Sequence, residues 1–168
     1  MDVCIRSFLA EDEVQLAKLA DNPRIFRNVR DIFPSPYTLD DARAWIEFAT
    51  SKKKPHTNQA IVVNGKLAGC IGAAVGNDIH RISVEVGYWL GEPFWGKGIM
   101  TQALQQWIEQ VWIIAPDARR LWAGVLAYNE PSMRVLEKAG FQKEAILKQA
   151  VIKNKKVCDE HIYALLRP

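Results

Sequence analysis

The sequence predicts an α+β domain built on one mixed, mostly antiparallel sheet. Three observations point there. Alternating apolar runs in the first half are joined across Asn64-Gly65, a strong short-range hairpin signal. At Gly98 the apolar spacing switches from a strand period to a helical one, and a strand, a helix and two further strands follow. The 168 residues are 49% hydrophobic and 24% charged, with no repeat, low-complexity tract or Gly/Ser linker, which fits a single domain over 1–168.

Taken in order, Val3, Ile5 and Phe8 with Arg6 between them read as a first strand. Residues 11–20 read as a helix with Val14, Leu16, Ala17, Leu19 and Ala20 close to one face. Segment 22–37 contains Pro23, Pro34 and Pro36 and cannot be one continuous helix. Thr38 is placed as an N-cap with Asp41 in the capping-box position, ahead of Leu39, Ala42, Trp45, Ile46 and Ala49 at helical spacing. Lys52, Lys53, Lys54 and Pro55 make a loop with a solvated, charged tip. Strands over 60–63 and 67–74 flank the hairpin turn, Asn77-Asp78 marks another turn, and 82–90 is a further strand. Over 98–113, Ile99, Ala103, Leu104, Trp107, Ile108, Val111 and Trp112 form an amphipathic stripe. A strand over 121–127, a short helix over 131–138 ended by Gly140, and strands over 141–152 and 157–166 complete six to seven strands and about four helices. Trp45, Trp107, Trp112 and Trp122 fit core positions in this arrangement.

Composition removes several functions. Twenty-two Lys+Arg against nineteen Asp+Glu leave a net charge of +3, too little to imply a nucleic-acid or membrane partner. Cys4, Cys70 and Cys158 are widely spaced and odd in number, which speaks for reduced thiols rather than disulfides or zinc. His56, His80 and His161 have no mutual ligand spacing, so no metal is assigned. No apolar stretch reaches the roughly 18 residues of a membrane helix, and the first residues lack the pattern of a signal peptide. The expected location is the cytoplasm.

Chemistry concentrates in two segments. Val84-Glu85-Val86-Gly87-Tyr88-Trp89-Leu90 is a strand running into Trp95-Gly96-Lys97-Gly98-Ile99-Met100-Thr101, a glycine-bearing loop that opens a helix. Helix N-termini present unpaired N–H groups and partial positive charge to anions, and glycines let the backbone approach closely. A dinucleotide fingerprint fails here because its third glycine is Thr101, and the P-loop spacing is absent. The second segment, Asn129-Glu130-Pro131-Ser132 through Leu136 to Gly140-Phe141, reads as a well-capped short helix.

The order VGYWL, then WGKG opening a helix, then NxxSxxxLEKxGF about thirty residues later resembles the GNAT acyl-CoA N-acyltransferase superfamily. Within it the pattern is most similar to the branch of bacterial ribosomal-protein alanine N-acetyltransferases of RimJ/RimL type. SPYTLDDARAWIEF and the final hairpin also resemble that branch, so the likeness spans nearly the whole chain.

The resemblance implies acetyl-CoA as cosubstrate and a primary amine as acceptor, either a protein N-terminus or a small molecule. It places the CoA diphosphate on the amides of Gly96, Lys97, Gly98, Ile99, Met100 and Thr101, with Trp95 standing where the family has Gln or Arg and Met100 where it has a small residue. Lys97 is read equally as a charge at the diphosphate or as solvent-facing. The pantetheine arm would lie along Val86, Tyr88, Trp89 and Leu90, with Asn129 and Ser132 also contacting it. Where many members carry a tyrosine acid this chain has Leu136, so Ser132 becomes the candidate acid and Tyr128 the runner-up. Two carboxylates, Glu92 and Glu85, are candidate bases, with Glu92 slightly preferred. Arg30, Phe33 and Tyr37 fall in the region that shapes the acceptor site. The departures at Trp95, Met100 and Leu136 leave a non-catalytic acyl-CoA sensor as the alternative, and the resemblance leaves a homodimer open.

Overall fold

The computed structural model describes residues 1–51 and 56–168. The lysine-rich loop expected at 52–55 lies outside the described residues. Seven strands form one sheet: β1 (Val3–Arg6), β2 (His56–Val63), β3 (Lys66–Val75), β4 (Ser83–Leu90), β5 (Arg120–Leu126), β6 (Gln142–Lys153) and β7 (Lys156–Leu166). Their order across the sheet is β1-β2-β3-β4-β5-β7-β6, antiparallel throughout except for the parallel pair β4–β5.

Five helices accompany it: α1 (Glu13–Ala20), α2 (Pro23–Phe26), α3 (Leu39–Thr50), α4 (Ile99–Ile114) and α5 (Glu130–Lys138). The fifth, beyond the four expected, is α2, a single turn started by Pro23 at its first position with Asn22 capping Arg24 N–H at 2.8 Å. The helix expected from residue 11 begins as a 3-10 turn over Ala10–Asp12 and turns α-helical only at Glu13. At α3 the expected box is present: Thr38 Oγ1 accepts from Asp41 N–H at 3.2 Å, and Asp41 accepts from Thr38 N–H at 2.8 Å.

The sheet is covered on both faces. Helices α4 and α5 pack on one, where Ile99, Leu104, Trp107, Val111 and Leu136 meet Ile61, Ile71, Val84, Val86, Leu121 and Tyr163. Helices α1 and α3 pack on the other, where Leu16, Ala42 and Ile46 meet Ala60, Val62, Leu67 and Cys70. Two expectations shift against this frame. Strand β1 stops at Arg6, and Phe8 instead buries with α1 and α3. Trp122 is half-buried and outside the core, because alternation along β5 gives the α4 face to Leu121, Ala123 and Val125.

A buried ion pair fastens the start of the chain. Asp12 is 5% exposed and receives both Arg6 nitrogens, at 2.7 and 2.8 Å, and the Leu9 N–H at 2.8 Å. Burial alone would raise its pKa. The guanidinium and the N–H outweigh that and hold it below the ordinary value.

Candidate active site

The central geometric fact is where β4 and β5 part. They pair only as Ser83–Arg120, Val84–Leu121 and Glu85–Trp122, although β4 continues to Leu90 and β5 to Leu126. Beyond Glu85 the facing edges diverge, so the edge of Val86, Gly87, Tyr88, Trp89 and Leu90 away from β3 has no strand beside it. An extended arm of a ligand can take that place.

At the mouth of this cleft lies the glycine turn. Gly96 and Gly98 have φ of 71° and 74°, a conformation that costs other residues strain, and a Cβ at either would meet nothing within 4 Å. Gly98 is the N-cap of α4 and carries no side-chain cap, so the first amides of the helix have no partner among the described residues. Met100 is 7% exposed, its side chain sunk into the core beneath α4, so its bulk does not load the turn. The Trp95 indole N–H donates to the Leu90 carbonyl at 2.6 Å and Arg24 lies 5.0 Å over its ring. Lys97 reaches back to the Pro93 carbonyl at 2.7 Å.

Val84, Val86, Tyr88 and Leu90 face α4 and α5 by alternation. On that face the Tyr88 hydroxyl stands 3.0 Å from Ser132 Oγ and 3.3 Å from the Ser132 carbonyl, bridging β4 to the first turn of α5. Burial raises the Tyr88 pKa well above the ordinary tyrosine value, so the phenol keeps its proton. Asn129 caps α5, its Oδ1 accepting from Ser132 N–H at 3.4 Å. Leu136 is fully buried in packing. A tyrosine hydroxyl therefore does face α5, but it comes from β4, where the resemblance implies only backbone contacts.

Glu85, Gly87 and Trp89 face the other way, toward segment 22–37. There Arg30 pairs with Glu85, Phe33 meets Trp89 edge-on at 5.9 Å, and Phe33 meets Tyr37 at 5.0 Å. The structure thus brings Arg30, Phe33, Tyr37, Glu85 and Trp89 together. It does not bring Glu85 and Glu92 together. Five residues of strand, roughly 16 Å, separate Glu85 from Leu90, and Glu92 lies beyond that, paired with Arg24 and accepting from Asn22 Nδ2 at 2.8 Å. Tyr128 sits on the rim of segment 22–37, its hydroxyl donating to the Arg27 carbonyl.

Two features of this face escaped the sequence reading. Lys153, 5% exposed at the tip of the β6–β7 hairpin, donates to Asp31 at 2.6 Å and lies 3.7 Å over the Phe26 ring, tying the hairpin to the segment. Glu160 on β7 lies over Gly124 of β5. The available signal for the second was a glycine inside the strand run LWAGVLA, which marks a close approach. Burial pushes the Cys70 thiol up to about 12.

The fold has counterparts. A family described as the acetyltransferase (GNAT) domain matches residues 2–142. The N-acetyltransferase p20 of Bacillus licheniformis is 32% identical over 167 residues, covering 97% of this chain and 92% of that protein. The probable N-acetyltransferase YjcK of Bacillus subtilis is 41% identical over 83 residues, which span 49% of this chain and 45% of YjcK. Among solved structures, RimL, a ribosomal L7/L12 α-N-protein acetyltransferase held in complex with coenzyme A, superimposes with a TM-score of 0.84 at 21% identity, covering 98% of this chain and 93% of RimL. The chain belongs to the GNAT acetyltransferase family.

Proposed function

We propose that this protein transfers the acetyl group of acetyl-CoA to a primary amine, a protein N-terminal α-amine or the amine of a small molecule, by direct attack in a ternary complex. The observation that carries the reading is the parting of β4 from β5 beyond Glu85 and Trp122, with the uncapped amides of α4 at its mouth. The glycines there leave room for a diphosphate, so the residues present fit the cosubstrate.

Bound in this cleft, acetyl-CoA supplies an acyl group already activated on a thiol leaving group. The amides of Gly96 to Thr101 hold the diphosphate, with the helix dipole behind them. The free edge of Val86 to Leu90 pairs with the pantetheine arm and offers an N–H to the carbonyl oxygen, where charge develops. Loss of such a donor typically slows a reaction ~10²–10³-fold. Tyr88 and Ser132 form a hydroxyl pair able to pass a proton to the departing sulfur. Arg30, Phe33 and Tyr37 shape the acceptor side. An α-amine with a pKa of about 8 is already about one-tenth neutral at pH 7, so a modest base suffices. The alternative, a sensor that binds acyl-CoA without turnover, has less support, because a protonated hydroxyl pair beside the arm is not needed for binding alone.

Thermal unfolding with acetyl-CoA, CoA, NADH and ATP, followed by mass spectrometry of an amine panel, tests this reading. Acetyl-CoA at 100 times its Kd adds about 2.7 kcal/mol, a rise of roughly 5–10 °C in Tm for a chain of this size. NADH and ATP give no comparable shift. No rise with acetyl-CoA removes the proposal, and a rise without acetylation of any amine favours the sensor.

A further inference from the structure

We infer that Glu160 is the general base that takes the proton from the acceptor amine, a role neither Glu85 nor Glu92 is free to fill. The inference rests on the acetyl-transfer reading above and deepens it.

Continuing the β4–β5 register by two residues past Glu85–Trp122 sets Gly87 across from Gly124 where the strands separate. Both face segment 22–37. Neither glycine has a positive φ, so backbone conformation demands neither; at Gly124 the close approach of Glu160 does. A Cβ at Gly87 would meet nothing within 4 Å, which leaves an open volume on the acceptor side. A Cβ at Gly124 would fall on a Glu160 carboxylate oxygen, 2.9 Å from its carboxyl carbon. Glu160 pairs in register with Leu126, so its side chain leans back along the sheet toward the point of separation. One glycine opens the space, and the other lets a carboxylate border it.

The electrostatic surroundings separate the three glutamates. Glu85 is paired with Arg30, and Glu92 with Arg24 and Asn22. Glu160, half-buried, has no hydrogen bond or ion pair among the described residues. The charged groups on its face include Glu85 with Arg30, Arg120 with Glu144, Lys153 with Asp31, and Lys156, and the thiol of Cys158 also lies there. Asp159, held by Lys148 and the Gln149 N–H, and His161 alternate to the opposite face of β7. On β5 Gly124 lies beneath its carboxylate and Leu126 is its register partner, and on β6 Leu147 is its register partner.

In the step itself the carboxylate accepts one proton from the ammonium, directly or through one water. The neutral nitrogen then forms the N–C bond to the acyl carbon. The C–S bond breaks with its electron pair on sulfur, and the Tyr88–Ser132 pair passes a proton to that sulfur. The second proton shed by the acylated nitrogen returns through water to the pair, so only the carboxylate ends protonated and it releases its proton to solvent.

The test compares wild type, Glu160→Gln and Gly124→Ala. Acetyl-CoA binding is measured by calorimetry, and steady-state transfer to alanyl- and seryl-initiated peptides is followed from pH 6 to 10. For Glu160→Gln the expected result is unchanged acetyl-CoA binding and kcat lower by ~10²-fold at pH 7, rising with pH where wild type is flat. Gly124→Ala displaces the carboxylate and gives the same pH signature, and the double variant is no slower than Glu160→Gln. A glutamine variant with the wild-type rate and pH profile overturns the inference while leaving the acetyl-transfer reading intact. A wild type that binds acetyl-CoA but acetylates neither peptide overturns the inference for N-terminal amines. A wild type that does not bind acetyl-CoA overturns both.

Discussion

The two faces of the cleft between β4 and β5 are built by different means. The face toward α4 and α5 is assembled from short stretches of chain: a turn of two positive-φ glycines, the first amides of a helix, and one hydroxyl pair between β4 and α5. Its binding groups are mainly backbone, and the packing beneath them is deep and apolar. The face toward segment 22–37 is assembled from side chains that come from far apart: Arg30 to Glu85, Arg24 to Glu92, Asp31 to Lys153, Tyr128 to the Arg27 carbonyl. Under the proposed function, backbone amides would hold the shared cosubstrate, and side chains would hold what can differ from one acceptor to another. A site that must keep its cosubstrate while changing its acceptor gains from that division.

Substitutions can break the comparison or sharpen it. The largest effect is expected from Gly98→Glu, which puts a side chain into a left-handed conformation and a negative charge at the helix N-terminus. Together these cost about 2–3 kcal/mol of acetyl-CoA affinity, near a hundredfold in Kd by calorimetry. Comparable loss of affinity from any change in segment 22–37 would contradict the division.

Next comes a control belonging to neither face, Asp12→Asn. Arg6 is 29% exposed, so the cost is discounted from that of a fully buried pair to about 2 kcal/mol, seen as a fall of roughly 4–8 °C in Tm at pH 7. Because the folded pKa of Asp12 lies below its ordinary value of 3.8, its stabilisation is fully present above that value and is lost as pH falls through the folded pKa. Acid unfolding of the asparagine variant should therefore show a shallower limb than wild type. An unchanged limb would mean that the pair contributes nothing to acid stability.

Smaller again is Tyr88→Phe. Acetyl-CoA binding should stay within a factor of two or so, while kcat falls about tenfold, the worth of one hydrogen bond to a developing charge. Ser132→Ala should do the same, and the pair together little more. A full additive loss would argue for two independent roles. The smallest change is expected of Lys153→Met, which replaces a buried cation by an apolar chain of similar volume. Stability should move by about 1 kcal/mol or less, acetyl-CoA binding not at all, and KM for the amine should rise severalfold as segment 22–37 loosens. Faster hydrogen exchange confined to that segment would locate the cause.

What could be read from the sequence follows the same division. The Thr38–Asp41 cap, the Asn64-Gly65 hairpin and the switch to helical period at Gly98 each depend on residues within a few positions of one another, and each was legible. Glu85, Gly87 and Trp89 could be placed on one face by alternation alone. What they face could not be read, because Arg30 is 55 positions from Glu85 and Lys153 is 122 from Asp31. Trp122 was misread for a related reason: a large aromatic suits a core, but the parity of β5 relative to β4 decides its side, and that parity is a long-range property. Tyr88 is legible as a strand residue, yet its meeting with Ser132 depends on where α5 crosses the cleft.

The fastening of segment 22–37 also decides which solution variable acts on it. Arg24 and Arg30 keep 64% and 74% of their side-chain surface in solvent, so dissolved ions reach their pairs with Glu92 and Glu85. With a screening length of about 8 Å near physiological ionic strength and about 3 Å at 1 M, added salt weakens these ties. It leaves the apolar packing under α4 untouched. Salt and temperature should therefore act at different places: salt on the acceptor wall first, heat on the whole domain. The enzyme's tolerance for amines of different shape then becomes a property partly set by the medium in which it works.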